Sequence, residues 1–346
     1  MKKVLLILLV LILSGCSNSC SLFYTDECKK QDEIAKYVEL GYKQETAEKI
    51  FSLSQEIKDN LLNVYNSDYE EIINSGIFSE ENLYAYSNSK LDIDTFLYLK
   101  ANKYEINNNF MKLYNDPFFI LEKLDFYLKY EKDFNDTRSL VEYVNTKAYK
   151  KPYEEYELSD LTKGNLIIAS KIYYLDKYEP SDLIDADKGY YVSSSAKMKE
   201  EAWLAYKEMA DAAREEKLYF YISTAYRSFE QQEKIYNNYL KNDSQEVVDT
   251  YSSRAGFSDH QIGLTCDLRL KNGTFDGFGK TKEAKWLKEN AYKYGYIQRY
   301  PEGKQAITGY MEESWHYRYV GKEAAKIIHE NNITFDEYYA YYVEQK

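Results

Sequence analysis

The stretch Ser258-Asp259-His260-Gln261-Ile262-Gly263-Leu264-Thr265-Cys266-Asp267-Leu268-Arg269-Leu270 alternates apolar and polar residues from Leu264 onward, the pattern of a half-buried strand. Asp267 then shares a face with Thr265 and Arg269. Cys266 points the other way and reads as a small buried hydrophobe rather than a ligand. A carboxylate flanked by Leu264, Cys266, Leu268 and Leu270 needs a strong partner, and a cation serves. His260 precedes it, and further along comes Glu313-Ser314-Trp315-His316. A divalent metal that promotes hydrolysis wants three protein ligands and an open position, with a carboxylate nearby to take a proton from water. His260, Asp267 and His316 suit the first role; Glu313, or Glu312 beside it, suits the second. The pattern predicts metal-assisted hydrolysis of an amide bond. His329, in Ala324-Ala325-Lys326-Ile327-Ile328-His329, has no such company and is set aside.

Around this stretch the chain reads as mixed α and β. Residues 197–216 form a strong helix carrying Met198, Ala202, Leu204, Ala205, Met209 and Ala212. Leu218 to Ile222 reads as a strand, followed by Tyr226-Arg227-Ser228 and a helix containing Gln231, Gln232 and Tyr239. Ala284 to Tyr294 is helical and closes at Gly295. Tyr317 to Val320 is a short strand after His316. The first half differs. From about 31 to 145 the periodicity is helical throughout, with Ala47, Ile50, Phe51, Ile57 and Leu61 on one face. Ser79 and Asp92 open helices with acidic first turns. This half contains no histidine and its acids are scattered, which leaves a spacer or a wall- or partner-binding surface as its role. The boundary falls between Asn145 and Asp160, near Pro152.

A chain of 346 residues, 44% hydrophobic and 29% charged, can build a sizeable core. Its net charge of −12 disfavours nucleic acid as a partner. The 39 tyrosines suggest a carbohydrate-stacking surface, but Lys, Asn and Ile are abundant with them, and codon usage accounts for most. Lys2-Lys3 followed by the apolar run Val4 to Leu13 is too short to span a bilayer and suits a secretory signal. It ends in Leu13-Ser14-Gly15-Cys16, which resembles the lipobox of bacterial lipoproteins. Residues 1–15 would be the signal peptide, Cys16 the lipid-bearing terminus and 16–30 a tether on the outer face of the cytoplasmic membrane. Removing the leader takes the charge to about −14. That compartment permits a Cys20–Cys28 disulfide without requiring one.

The motifs carry a resemblance. Ser258-Asp259-His260-Gln261-Ile262-Gly263-Leu264 is similar to the S-E-H-Q-T-G-L of VanY-type D-alanyl-D-alanine carboxypeptidases, zinc peptidases of peptidoglycan. Thr308-Gly309-Tyr310, Glu313-Ser314-Trp315-His316 and Arg318-Tyr319-Val320-Gly321 resemble T-G-Y-x-x-E-P-W-H-x-R-Y-V-G. Asn290-Ala291, Tyr294-Gly295-Tyr296-Ile297 and Arg299-Tyr300-Pro301 resemble N-A-x-x-Y-G-F-I-x-R-Y-P. Tyr226-Arg227-Ser228 with Gln232 resembles Y-R-S-x-x-x-Q. The blocks stand in family order over roughly residues 160–330. Ala255 and Ser314 replace Pro, Asp259 replaces Glu and Ile262 replaces Thr; none of these removes a ligand or the base.

The resemblance implies an α+β fold, a small antiparallel sheet with surrounding helices carrying a zinc site, preceded by the all-helical region. Residues 31–150 would be the helical domain and 151–346 the zinc carboxypeptidase domain. Zn2+ would be held by His260, Asp267 and His316. The family spacing selects Glu313 over Glu312 as base. Arg227 would donate to the scissile carbonyl oxygen, while Ser258, Gln232 and Tyr310 would hold the substrate's terminal carboxylate or backbone. The implied substrate is a peptidoglycan stem peptide that loses its terminal D-alanine. An L,D-carboxypeptidase, a stem-peptide endopeptidase and a non-catalytic wall-binding lipoprotein are the rival readings.

Overall fold

The computed structural model describes residues 25–344 of the chain. The expected signal peptide, Cys16 and Cys20 lie outside the described residues. The chain divides into two compact units, Met1–Asn115 and Asp116–Lys346.

The first unit is helical, as its periodicity predicts. Its helices are Asp26–Leu40, Gln44–Phe51, Gln55–Leu61, Ser67–Asn74, Glu80–Ser89, Ile93–Ala101 and Asn108–Tyr114. Side chains of Ser54, Asn66, Ser79, Asp92 and Asn107 accept from first-turn N–H groups, which is why the helices start where they do. The single apolar face expected over 47–61 is two helices, broken before the Ser54 cap. Restarting the helix shifts the phase, so Leu62 rather than Leu61 completes the buried set with Ala47, Ile50 and Ile57.

The second unit begins earlier than the boundary expected near 150. Helices Leu124–Tyr130 and Thr137–Asn145 belong to it. The C-terminal segment explains this. Phe118 stacks on the buried Tyr341 with ring centroids 4.0 Å apart, and Lys147 pairs with Glu157 and Glu344.

Eight strands follow: β1 (Glu157–Leu158), β2 (Tyr173–Tyr174), β3 (Leu183–Asp185), β4 (Lys197–Lys199), β5 (Tyr221–Thr224), β6 (Thr265–Arg269), β7 (Tyr296–Tyr300) and β8 (Glu313–Tyr319). Strands β1 and β2 form a short parallel pair and β3 and β4 an antiparallel one. The other four make an antiparallel sheet in the order β5-β6-β8-β7. One face of this sheet presents Ile222, Cys266, Leu268, Tyr317 and Tyr319 to the helix Glu200–Glu215, through Tyr206, Met209 and Ala213. Each such fully buried large side chain contributes about 1.5–3 kcal/mol. A second core of Ile297, Val320, Ala325, Ile328 and Phe335 forms beneath the C-terminal helix Lys322–Asn331.

Two strands differ from expectation. Strand β5 starts at Tyr221, not Leu218, because its partner β6 ends at Arg269, opposite Tyr221. Strand β8 starts at Glu313, ahead of His316, because its pairing with β7 runs on to Tyr300 opposite Glu313.

Candidate metal centre

His260 stands on a single 3-10 turn, Asp259–Ile262, closed by Gly263 at φ 79°. A Cβ at Gly263 would sit 2.6 Å from Leu183 Cδ2, so both the backbone and the packing require glycine. His260 Nδ1 lies 2.7 Å from the Ala225 carbonyl oxygen. That contact makes Nδ1 the N–H donor and leaves Nε2 as the free donor atom facing inward. Asp267 and His316 come from neighbouring strands as direct register partners, which puts their side chains on one face.

The three side chains converge. His260 Nε2 is 3.2 Å from Asp267 Oδ2, and His316 Nδ1 is 3.3 Å from Asp267 Oδ1. One donor atom from each lies within 4.8 Å of the others, and all three residues are buried. Donor atoms on a tetrahedral ion with bonds of about 2.0–2.1 Å stand roughly 3.3–3.4 Å apart, so this spacing suits zinc. Asp267 Oδ1 is buried without a hydrogen-bond partner, an acceptor that a cation would satisfy.

Glu313 reaches the cluster through an irregularity. Three residues from His316 in a regular strand, it would face away. The two-residue step from Gln298 to Tyr300 on β7 is met by a four-residue step from Tyr317 back to Glu313 on β8. This bulge turns the side chain round, and Glu313 Oε2 comes to 3.0 Å from His316 Nδ1. Glu312 is exposed and does not reach the cavity.

Arg227 lines the same cavity as Glu313. Ser228 and Gln231 form a reciprocal cap on the helix Phe229–Tyr239, which holds Arg227 just before it. Arg227 Nη1 donates to Gln232 Oε1 at 2.7 Å, and Nη2 is 4.0 Å from Asp267 Oδ2. Gln232 is buried, and its Nε2 donates to the Ser253 carbonyl at 2.6 Å. Its amide therefore holds Arg227 from within the cavity wall. Gln232, Ser258 and Tyr310 all line the cavity, of about 510 Å³. Tyr310 is fixed by the Tyr153 hydroxyl at 3.1 Å. The outer walls carry Tyr239, Tyr251, Phe275 and Trp315.

The motif reading missed Asp259 as a site residue. It is buried against Arg318, accepts from Thr265 Oγ1 at 2.7 Å, and has Oδ2 3.6 Å from His316 Nε2. The available signal was a carboxylate adjoining His260 at the position where the family motif also carries one, Glu. Burial opposes its ionisation, but Arg318 and then His316 hold it far below the usual carboxylate range. Burial also opposes charge on Asp267, yet His260, His316 and Arg227 draw it down to about 2. For His316 burial works against the cation, and the carboxylates of Asp259, Glu313 and Asp267 outweigh it, pushing the pKa up to about 9.

The site's sequence neighbourhood has relatives. The family model described as VanY, D-alanyl-D-alanine carboxypeptidase, matches residues 195–322. The D-alanyl-D-alanine carboxypeptidase of Enterococcus faecium is 30% identical over 67% of this chain and 74% of its own length. The protein YodJ of Bacillus subtilis (strain 168) is 38% identical over 50% of this chain and 66% of its own. Among solved structures, that of the LdcB LD-carboxypeptidase shares 36% identity. It covers 56% of this chain and 92% of that one, with a TM-score of 0.50.

Proposed function

The chain belongs to the VanY family of D-alanyl-D-alanine carboxypeptidases, and from that premise we propose that it is a zinc-dependent D,D-carboxypeptidase that removes the terminal D-alanine from peptidoglycan stem peptides. The observation that carries this is the convergence of His260, Asp267 and His316 on one point, with Glu313 3.0 Å from His316 and Arg227 4.0 Å from Asp267.

The residues fit zinc by donor type, spacing and the partnerless Asp267 oxygen. Zinc held there supplies Lewis acidity, which brings the pKa of a water to about 7. Glu313 takes the proton of the attacking water and returns it to the departing amine. Its buried placement beside His316 keeps it within reach of both. Arg227 presents a guanidinium, already aimed by Gln232, to the carbonyl oxygen as negative charge grows on it. Ser258 and Tyr310 supply hydroxyls on the cavity wall for the substrate's terminal carboxylate or backbone. The aromatic outer walls give the preceding part of the peptide an apolar surface to lie on.

The likeness to LdcB favours a second reading, an L,D-carboxypeptidase on the same scaffold. Synthetic pentapeptide and tetrapeptide stems separate the two when released alanine is followed by mass spectrometry. Release from the pentapeptide, abolished by chelator and by Glu313→Ala, supports the D,D reading. Preference for the tetrapeptide replaces it with L,D, and no release from either with zinc bound refutes both.

The cellular setting belongs to the same proposal. The Leu13-Ser14-Gly15-Cys16 motif supports a lipid anchor on Cys16 and a place on the outer face of the cytoplasmic membrane, where peptidoglycan lies. No helix among the described residues is long and apolar enough to cross a membrane. Labelled fatty acid should enter the wild-type chain and not Cys16→Ala; equal labelling would refute the anchor.

A further inference from the structure

We propose that Asp259 is a positioning residue of the metal centre, its carboxylate selecting the form of His316 that leaves Nδ1 free to bind the metal. The proposal rests on the zinc reading above. His316 uses Nδ1 to face the cluster, 3.3 Å from Asp267 and 3.0 Å from Glu313. A neutral imidazole carries one proton, so a ring that ligates through Nδ1 must hold it on Nε2. His316 Nε2 is buried and has no hydrogen-bond partner among the described residues. The charged group that faces it is Asp259 Oδ2, at 3.6 Å. A fixed negative charge there stabilises an N–H on Nε2 and repels a lone pair on it, which is what an outer carboxylate does for a metal-bound histidine.

Asp259 cannot turn away. Its Oδ1 pairs with Arg318, and its Oδ2 accepts from Thr265 Oγ1 at 2.7 Å. Arg318 is pinned in turn by the carbonyls of Ile167 at 2.6 Å, Asn165 at 3.0 Å and Tyr319 at 2.8 Å. Neither side chain of the pair is exposed at all. The orientation of the carboxylate is thus set by the fold rather than by the metal. One 3-10 turn delivers both a ligand, His260, and the support of another ligand, through the residue just before it.

A competing account makes Asp259 only the counter-ion of Arg318. Zinc affinity of the full chain, measured by competition with a chromophoric chelator, distinguishes the two. Thermal melting of the metal-free proteins runs alongside. Asp259→Asn should raise the zinc Kd about 10- to 100-fold. Arg318→Lys keeps a cation beside Asp259 Oδ1, and Thr265 still holds Oδ2, the oxygen that faces His316, so it should lower the melting temperature while leaving the Kd within about threefold. Should Asp259→Asn fail to fold for want of a partner to Arg318, pairing it with Arg318→Met removes both charges together, and the same rise in Kd is expected. An unchanged Kd in the folded Asp259 variant, or equal rises in the Asp259 and Arg318 variants, overturns the proposal. A wild-type chain that binds no zinc strikes at the zinc reading instead.

Discussion

Replacing Gln232 by alanine tests how the oxyanion donor is held. Gln232 is 1% exposed, its Oε1 takes the Arg227 Nη1 proton at 2.7 Å, and its Nε2 is spent on the Ser253 carbonyl at 2.6 Å. If the amide only aims Arg227, Gln232→Ala loses a hydrogen bond to a charged group, about 1.5–3 kcal/mol. At 1.36 kcal/mol per decade that is about a 10- to 150-fold fall in kcat, because the loss is felt as charge grows on the carbonyl. Arg227→Ala removes the donor itself and should cost about 10²–10³-fold. The double variant should be no slower than Arg227→Ala alone, since an aim with nothing to aim has no effect. The assay is steady-state release of D-alanine from a pentapeptide stem, with kcat and KM resolved. A raised KM with unchanged kcat, or losses that multiply in the double variant, would refute this account and return Gln232 to the substrate-binding role.

Glu313→Gln should lower kcat by about 10²–10⁴-fold with zinc still bound, whereas Glu312→Gln should leave turnover within about twofold; paired zinc content and turnover measurements check both. Because His316 titrates near 9 without metal, binding there must displace its proton. The zinc Kd measured by chelator competition should therefore rise about tenfold per unit as pH falls from 9 to 7. The sign for the metal-free fold is opposite. A raised histidine pKa adds stability that is fully present below its unfolded value and lost as pH rises through about 9, so the metal-free melting temperature should decline between pH 7 and 10. Asp336→Ala leaves Arg299, 0% exposed, without its carboxylate in the core, and should destabilise the second unit by about 3–5 kcal/mol in denaturant unfolding.

The helical first unit was legible because capping and helical phase are local: Ser79 and Asp92 start their helices through their own side chains. The strand bearing Asp267 was legible because its apolar alternation is likewise written in consecutive residues. Where the structure adds to that reading, the cause is distant in sequence. The unit boundary moved to Asn115 because Phe118 and Lys147 meet partners near the C-terminus, Tyr341 and Glu344. That Gln232 holds Arg227 and the Ser253 carbonyl is likewise a matter of the fold, which its block of sequence does not display.

By itself, then, the sequence determined which groups were available for chemistry: two imidazoles, a carboxylate on a half-buried strand, a base candidate and a cation set just before a capped helix. Residue identity and short-range periodicity suffice for that. Only the tertiary structure decided how they act. The pairing of β6 with β8 places Asp267 opposite His316. The bulge between β8 and β7 turns Glu313, rather than Glu312, into the site against strand alternation. The fold brings Asp259, buried with Arg318, to 3.6 Å from the far nitrogen of His316. Each of these depends on strand register and on the burial of charge, and both arise only when segments far apart in the chain pack together.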